Sequence, residues 1–260
     1  MRLKFSSGWT RIFLFVLFVS LIITTRHAQL INAQNKNEND ENFEIQNKNF
    51  TPENSADFTI PDQLKYDPRE IEKVAEFASR ETGVRKDFLM GLLVVESDLG
   101  KNTGECTYQE VEQDAQKSYG LGWLSHRAWK TFEERRNTFK KIADNLGYDY
   151  REQKVSCNPA NYAGTGGAMG IPQFMPDTWL EYEDRISEIT KEENPDPWDM
   201  NAGVIAMALK LSDVPGVTNH NIWSERNAAK LYLSGTTSSR YDWYANSAIY
   251  WSRNYLSLLT

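Results

Sequence analysis

The sequence predicts an all-α fold for residues 61–260, and three observations support that prediction. No alternation of apolar and polar residues typical of β-strands is sustained after Pro61. Helix-start signals recur along this part of the chain, and apolar residues follow them at the spacing of one helical face. Glycines stand where several of these patterns end, as is common after helix C-termini. A segment of about 200 residues is long enough to bury one sizeable core.

The first helix is predicted to begin after Asp67. Asp67 can cap it, Pro68 takes its first position and Glu70 its third, which is a typical helix-start signature. Gly83 can close it. Between these ends, apolar residues recur along one face, at Ile71, Val74, Ala75 and Ala78.

The second helix, from about Asp87 to Glu96, is apolar nearly all round and is therefore expected to be buried. A polar stretch with aromatic residues surrounds Gly120 and Gly122, and a long amphipathic helix ending at Gly147 follows it. The apolar side of that helix carries Trp129, Phe132, Phe139, Ile142, Ala143 and Leu146. Further helices are predicted at 177–190, 199–212, 224–234 and 239–258.

Residues 1–33 are predicted to be an export signal or an N-terminal anchor. Arg2, Lys4 and Arg11 supply positive charge, and the apolar run 12–23 is shorter than the ~20 residues that comfortably span a bilayer. Cleavage near Ala33 would release the protein into the periplasm or the extracellular cell-wall space. The alternative is that the segment is retained and tethers the protein to the membrane through residues 12–23.

Residues 34–60 are predicted to form a disordered linker. Asn, Glu and Asp dominate this stretch, and large apolar residues are scarce. Such a composition cannot offset the entropy lost on ordering by burying apolar surface. We therefore expect a flexible tether between the export segment and the helical domain.

The charge of the chain argues against a nucleic-acid partner. The net charge is −7, from 29 Lys and Arg against 36 Asp and Glu. A protein that follows a phosphate backbone needs a strongly basic face. Only three histidines are present, which argues against a zinc site. No Asp-x-Asp-x-Asp-Gly calcium-loop pattern is found, so we predict neither a metal nor a cofactor.

The only two cysteines, Cys106 and Cys157, are predicted to form a disulfide, because a lone pair in an exported protein favours one. The alternative is two free thiols. One of them could in principle serve as the nucleophile of a cell-wall peptidase, but only His126 and His220 would then remain as its base after the signal is removed.

Glu96 is the most informative residue. Together with Leu89, Leu92 and Leu93 it follows the spacing of one helical face, which places its carboxylate against the core. Burial disfavours the charged form and raises the pKa, so the group can act as a proton donor near neutral pH. The alternative is that a glutamate at a helix end only marks where the chain emerges.

A glycine-rich string from 164 to 179 is the second informative segment. Its glycines allow a close backbone approach to a ligand, Gln173 can donate and accept hydrogen bonds, and Phe174 and Trp179 offer apolar faces for sugar rings. The alternative is a tight loop before a helix, with Met169 and Phe174 in the core.

These segments together resemble the B-type lytic murein transglycosylases, which have a lysozyme-like domain. The resemblance extends from about Tyr66 to Tyr255. It depends most on two elements, Glu96-Ser97-Asp98-Leu99-Gly100 and Gly167-Ala168-Met169-Gly170 followed by Gln173-Phe174-Met175-Pro176. Two weaker similarities follow, at Pro197-Trp198-Asp199 and at the segment from Ala228 to Gly235.

The resemblance implies a single lysozyme-like helical domain of the α+β lysozyme-like superfamily, with a long loop insertion closed by the disulfide. It implies a monomer that acts on peptidoglycan glycan strands, with Glu96 as the catalytic acid and base. The residues expected to bind substrate are Ser97, Gly167, Met169, Gln173, Phe174, Tyr232 and Tyr244. We expect Gln173 and Tyr232 to face the substrate rather than the core, with the Tyr232 hydroxyl near Glu96 or the sugar. The alternative is that Tyr232 is a buried residue whose hydroxyl is satisfied within the protein.

The chain departs from the family pattern at two positions. Leu233 stands where the family usually has Asn, and Gly164 where a hydroxyl is expected.

Only one carboxylate is carried by these motifs, and such a site suits an intramolecular reaction. Glu96 is expected to protonate the β-1,4 link between N-acetylmuramic acid (MurNAc) and N-acetylglucosamine (GlcNAc), and then to help the C6 hydroxyl close a 1,6-anhydro ring. The alternatives are a hydrolytic muramidase on the same scaffold and a non-catalytic glycan-binding protein of the cell wall.

Overall fold

Two helices open the folded part of the chain. The computed structural model describes residues 66–159 and 165–259, and the predicted export segment and linker lie outside them. Helix α1 (Pro68–Thr82) begins with the Asp67 side chain accepting a hydrogen bond from the Arg69 amide and ends at Gly83, as predicted. Helix α2 (Lys86–Ser97) is buried along almost its whole length.

The segment closed by the disulfide, expected to be a long loop insertion, contains helices and short strands as well as loops. It contains β1 (Cys106–Thr107), α3 (Tyr108–Gly120), α4 (His126–Asn145) and β2 (Lys154–Val155). The sequence analysis missed α3, because only a narrow stripe of this polar helix is buried. Its start is nevertheless encoded locally, since the side chains of Thr107 and Glu110 each bond the backbone amide of the other.

A small antiparallel network joins this segment to the glycine-rich string. Cys106 pairs with Val155 across β1 and β2, Val155 also bridges to Met169, and Met169 bridges to Phe174. Strands of two residues are too short to show an alternating pattern, so the sequence could not predict them. The network places the glycine-rich string against the base of the disulfide-closed segment.

Four helices complete the described chain, and their bounds lie close to those predicted. They are α5 (Pro176–Thr190), α6 (Met200–Ser212), α7 (Ile222–Ser234) and α8 (Asp242–Asn254). The single helix predicted at 239–258 is instead α8 with a short 3₁₀ turn on either side. None of the helices in the ranges 66–159 and 165–259 is long and apolar enough to cross a membrane.

The core forms around α2, which packs most extensively against α8. Gly91 lies at the point where they cross, and a Cβ atom there would overlap the backbone of Ala248 and Ser252. At the other end of α2, the Arg85 guanidinium donates to both carboxylate oxygens of the buried Glu225 on α7, at 3.0 and 2.8 Å. A two-point pair of this kind fixes orientation as well as distance.

The predicted disulfide is present and joins Cys106 to Cys157, whose Cα atoms lie 5.1 Å apart. It closes the segment between the two cysteines, which are separated by 51 positions in the sequence. Inside that segment, the Tyr108 ring of α3 stacks on the Phe139 ring of α4 with centroids 3.8 Å apart. The helices therefore have packing of their own in addition to the covalent closure.

Replacing both cysteines by serine should lower the free energy of unfolding by roughly 4 kcal/mol on the chain-entropy estimate for a loop of this length. α3 and α4 pack on each other, so without the disulfide they should open together as a local unit. This opening should precede unfolding of the core around α2. Hydrogen exchange should therefore rise more in residues 106–157 than in α2. Equal protection of both regions in the double variant and the parent would contradict this.

Candidate active site

A cleft of about 650 Å³ opens at the C-terminal end of α2. Four of the residues predicted from the sequence line it: Glu96, Gln173, Phe174 and Tyr232. The other lining residues are Arg135, Ala168, Met175, Thr178, Lys210, Leu231, Leu233, Ser234 and Gly235. The cleft therefore combines one carboxyl group, two cationic side chains and several apolar surfaces.

The last turn of α2 fixes the position of Glu96. The buried Ser97 hydroxyl donates to the Leu93 carbonyl at 3.2 Å and accepts from the Gly100 amide at 3.1 Å. Asp98 and Leu99 both have positive φ angles, 49° and 53°, which are uncommon for residues with side chains. The chain thus turns away sharply and leaves Glu96 in the cleft wall. Ser97 is predicted to bind substrate, but it lies beneath this turn, outside the residues that line the cleft.

Burial raises the pKa of Glu96 from the ordinary 4.5 to about 7. A hydrogen bond from the Tyr244 hydroxyl to Oε1 and the positive charge of Lys210 oppose this rise, because both favour the carboxylate. A pKa near 7 leaves the group poised between its two forms at neutral pH. This suits a residue that first donates and then accepts a proton.

Tyr244 lies in the first turn of α8 and is almost completely buried. Its hydroxyl donates to Oε1 of Glu96, so Oε2 is the oxygen left to carry the transferable proton. The crossing of α2 and α8 at Gly91 brings these two side chains together. Tyr244 is therefore placed to act through Glu96.

The glycine-rich string forms a tight hairpin at one side of the cleft. Met169 and Phe174 pair through both backbone hydrogen bonds, at 2.9 and 3.2 Å. Gly170 has a φ of 61°, and a Cβ atom there would overlap the Pro197 carbonyl. Met169 is fully buried, and neither it nor Gly167, which packs near the Tyr108 ring, lines the cleft.

Gln173 both holds this hairpin and lines the cleft. Its amide nitrogen donates to the carbonyls of Thr103 at 3.1 Å and Gly170 at 2.8 Å. Its φ of 53° lies in the left-handed region, and such strain is often found at functional sites. Since the amide donors are engaged within the protein, the group that Gln173 can offer a ligand is its amide oxygen.

The hydroxyl of Tyr232 does not reach Glu96 as expected. It donates to the Pro172 carbonyl at 2.5 Å, which ties α7 to the hairpin. The partner of Glu96 is Tyr244 instead. The Tyr232 and Phe174 rings still contribute apolar surface to the cleft, although both residues are largely buried.

Sequence reasoning missed Lys210 and Arg135. Lys210 stands near the end of α6, a helix whose neighbouring positions are nearly all apolar. A lone lysine in such a run was the signal that could have drawn attention to it. Arg135 projects from α4, within the segment interpreted as insertion, and its Nε donates to Asp177 at 3.0 Å.

The sequence analysis also noted departures from the family pattern at Leu233 and Gly164 and predicted no metal site. Leu233 lines the cleft, so an apolar side chain occupies the place where the family resemblance implies Asn. Gly164 lies outside the described residues. Within the described ranges, no group of three or more His, Cys, Asp or Glu side chains could hold a metal ion.

Comparison with known families gives one extended match. The sequence model of the transglycosylase SLT domain matches residues 29–208. Glu96 and the glycine-rich string fall inside this range, whereas Lys210, Tyr232 and Tyr244 lie beyond it. No protein of curated function matches the sequence.

Solved structures give partial matches. The lytic transglycosylase SLT35 of Escherichia coli is 22% identical, with a TM-score of 0.43 over 56% of this chain and 42% of that one. The soluble lytic transglycosylase SltB1 from Pseudomonas aeruginosa is 25% identical, with a TM-score of 0.41 over 60% of this chain and 50% of that one. The chain therefore spans half or less of the length of these two proteins.

The raised pKa of Glu96 predicts how Glu96→Gln changes stability with pH. Between about pH 4.5 and 7 the folded protein binds more protons at this group than the unfolded chain, so its stability falls as pH rises through that window. Glutamine stays neutral and removes this loss. The variant should therefore gain stability relative to the parent as pH rises, by on the order of 2–3 kcal/mol at pH 8 compared with pH 4.

Denaturant unfolding at both pH values measures this difference. Glu134→Gln, which changes an exposed glutamate on α4, is the matched control. If Glu96→Gln and Glu134→Gln responded alike to pH, burial would not govern the titration of Glu96.

Proposed function

We propose that this chain, which belongs to the transglycosylase SLT domain family, is a lytic transglycosylase of peptidoglycan in which Glu96 is the only acid and base. One observation carries the proposal. Among the described residues that line the cleft, Glu96 is the only carboxylic acid, and its pKa is about 7. A single group that is half protonated at neutral pH can perform both proton transfers of an intramolecular reaction.

In the first step, protonated Glu96 donates its proton to the oxygen of the β-1,4 bond between MurNAc and GlcNAc. The bond from C1 of MurNAc to that oxygen breaks, and GlcNAc leaves with a new hydroxyl. The N-acetyl group of the substrate stabilises the positive charge that develops at C1. The Tyr244 hydroxyl and the Lys210 charge stabilise the carboxylate that Glu96 becomes.

In the second step, the C6 hydroxyl of the same MurNAc attacks C1, and the Glu96 carboxylate takes its proton. A 1,6-anhydro ring forms, Glu96 returns to its protonated state, and no water is consumed. Because the nucleophile is tethered to the reacting carbon, little translational or rotational entropy is lost in this step. A second catalytic carboxylate is therefore unnecessary.

Enzymes that hydrolyse glycosidic bonds mostly use two carboxyl groups, about 5–9.5 Å apart, on either side of the bond. Among the described residues that line the cleft, Glu96 has no second carboxylate beside it, and Asp177, which pairs with the lining residue Arg135, does not itself line the cleft. This arrangement favours the transglycosylase reaction over the hydrolytic muramidase reaction.

We also propose that the enzyme acts outside the cytoplasm. Peptidoglycan lies in the periplasm or cell wall, and disulfides such as Cys106–Cys157 form in oxidising compartments. The N-terminal segment 1–33, predicted to be an export signal or anchor, is in keeping with this location.

Digestion of purified peptidoglycan tests the reaction. The parent protein should release muropeptides ending in 1,6-anhydro-MurNAc, which are one water lighter than the products of hydrolysis. Glu96→Gln removes the transferable proton and should slow release at least about 100-fold.

Mass spectrometry of the digests separates the candidate functions, and Glu134→Gln serves as the control with full activity expected. Products that carry the added water would identify a muramidase. A Glu96→Gln protein that releases muropeptides at nearly the parent rate would show that Glu96 is not the acid.

Tyr244→Phe tests the role of the hydroxyl that contacts Glu96. Its hydrogen bond lowers the pKa of Glu96, so its loss should move the alkaline limb of the kcat/KM profile to higher pH and also reduce the maximal rate. Tyr148→Phe removes a hydroxyl that bonds Asp196, away from the lining residues, and should leave the profile unchanged. An unmoved limb in Tyr244→Phe would contradict the assigned contact.

A further inference from the structure

Lys210 brings a positive charge into the cleft from an otherwise apolar helix. It is the eleventh residue of the thirteen in α6, and its side chain lines the cleft together with Glu96. The Nζ atom lies 4.6 Å from the centroid of the Tyr232 ring and 5.1 Å from that of Phe174. The two rings attract the ammonium group through their electron-rich faces.

The Lys210 ammonium has no hydrogen-bond acceptor and no carboxylate within 4.0 Å among the described residues. Arg135, the other cation of the cleft, differs in this respect, because it is paired with Asp177 at 3.0 Å. Aromatic rings attract the charge, but they do not replace the hydrogen bonds that an ammonium group makes in water. The three N–H donors of Lys210 are therefore available to a ligand.

Partial burial of an ammonium group costs free energy, because the group keeps fewer of its hydrogen bonds to water. Burial accordingly lowers the pKa of Lys210, although the nearby Glu96 opposes the shift. The cost is offset when an anion enters the cleft and accepts these hydrogen bonds. The Lys210 ammonium thus lines the cleft with no acceptor among the described residues, so an anionic group that replaces its water can accept charge-assisted hydrogen bonds from it.

The charge balance of the cleft also favours an anion. Its described lining carries Lys210, Arg135 and a single acid, Glu96, which burial keeps largely protonated below about pH 7. The chain as a whole has a net charge of −7. Since Arg135 is paired with Asp177, Lys210 is the cation of the described lining that has no carboxylate within 4.0 Å, and it attracts anionic groups that enter the cleft.

We propose that Lys210 binds a carboxylate of the glycan substrate next to the bond that is cleaved. This inference rests on the proposed function. Peptidoglycan offers carboxylates from two sources, the lactyl group of a MurNAc that carries no peptide and the stem peptide of one that does. In both cases Lys210 would distinguish peptidoglycan from neutral polymers of GlcNAc, which carry no carboxylate.

Binding measurements in a Glu96→Gln background test the proposal without turnover. This background also removes the Glu96 carboxylate, so an effect of Lys210 on binding cannot pass through the pKa of Glu96. Lys210→Met keeps the length of the side chain and removes its charge, whereas Lys210→Arg keeps the charge. Melting temperatures check that each variant is folded.

Three oligosaccharides serve as probes in isothermal titration calorimetry. The first alternates GlcNAc with peptide-free MurNAc, the second is the same oligosaccharide with its lactyl carboxyl groups reduced to alcohols, and the third carries stem peptides. Lys210→Met should weaken binding of a carboxylate-bearing probe by about tenfold to a hundredfold, while Lys210→Arg retains most of the affinity. Binding of the reduced probe should not change.

The pattern of losses identifies the source of the carboxylate. Weaker binding of the peptide-free probe points to the lactyl group, and weaker binding of the peptide-bearing probe alone points to the stem peptide. Equal affinities of Lys210→Met and its parent for both probes, or an equal loss for the reduced probe, would overturn the inference.

Digestion of peptidoglycan by the protein with unmodified Glu96 shows whether only the inference about Lys210 fails or the proposed function fails as well. If that protein releases anhydro-muropeptides while Lys210→Met binds all probes normally, only the inference about Lys210 fails. If the protein neither binds the probes nor cleaves peptidoglycan, the proposed function fails together with the inference.

Discussion

Helices α2 and α8 cross where Gly91 has no side chain, and the geometry of the cleft depends on that close contact. α2 carries Glu96 at its end, and α8 carries Tyr244 in its first turn, so the distance between the helices sets the hydrogen bond between the two side chains. A larger residue at 91 would overlap the backbone of α8. The close packing of the two helix backbones therefore allows the Tyr244 hydroxyl to stabilise the Glu96 carboxylate.

The opposite wall of the cleft is held by backbone pairing. Val155 of the disulfide-closed segment bridges to Met169, and Met169 pairs with Phe174 across the hairpin. From the other side, Tyr232 of α7 bonds the Pro172 carbonyl. The hairpin is therefore fixed by its own backbone pairing and by two other parts of the chain. This explains why residues of the family motif such as Met169 and Gly167 are buried supports and do not line the cleft.

Local signals in the sequence predicted most of the helices and the position of Glu96, because caps, helical spacing and burial of one face are encoded within a few residues. Contacts between distant helices could not be predicted in the same way. The sequence suggested Tyr232 as a partner of Glu96, yet the crossing of α2 and α8 selects Tyr244. Helix α3 was missed because its buried stripe is narrow, and Lys210 because the family resemblance assigns it no role.

The orientation of the Gln173 amide has a consequence for inhibitor design. The protein itself consumes both donors of that amide, at the carbonyls of Thr103 and Gly170, so only an acceptor remains on this side of the cleft. Lys210, in contrast, presents donors. A synthetic inhibitor that fits the cleft should therefore be asymmetric, with an N–H or O–H group opposite Gln173 and an acidic group opposite Lys210. A compound with these two groups exchanged would leave the Gln173 amide oxygen and the Lys210 ammonium without hydrogen-bond partners on the ligand.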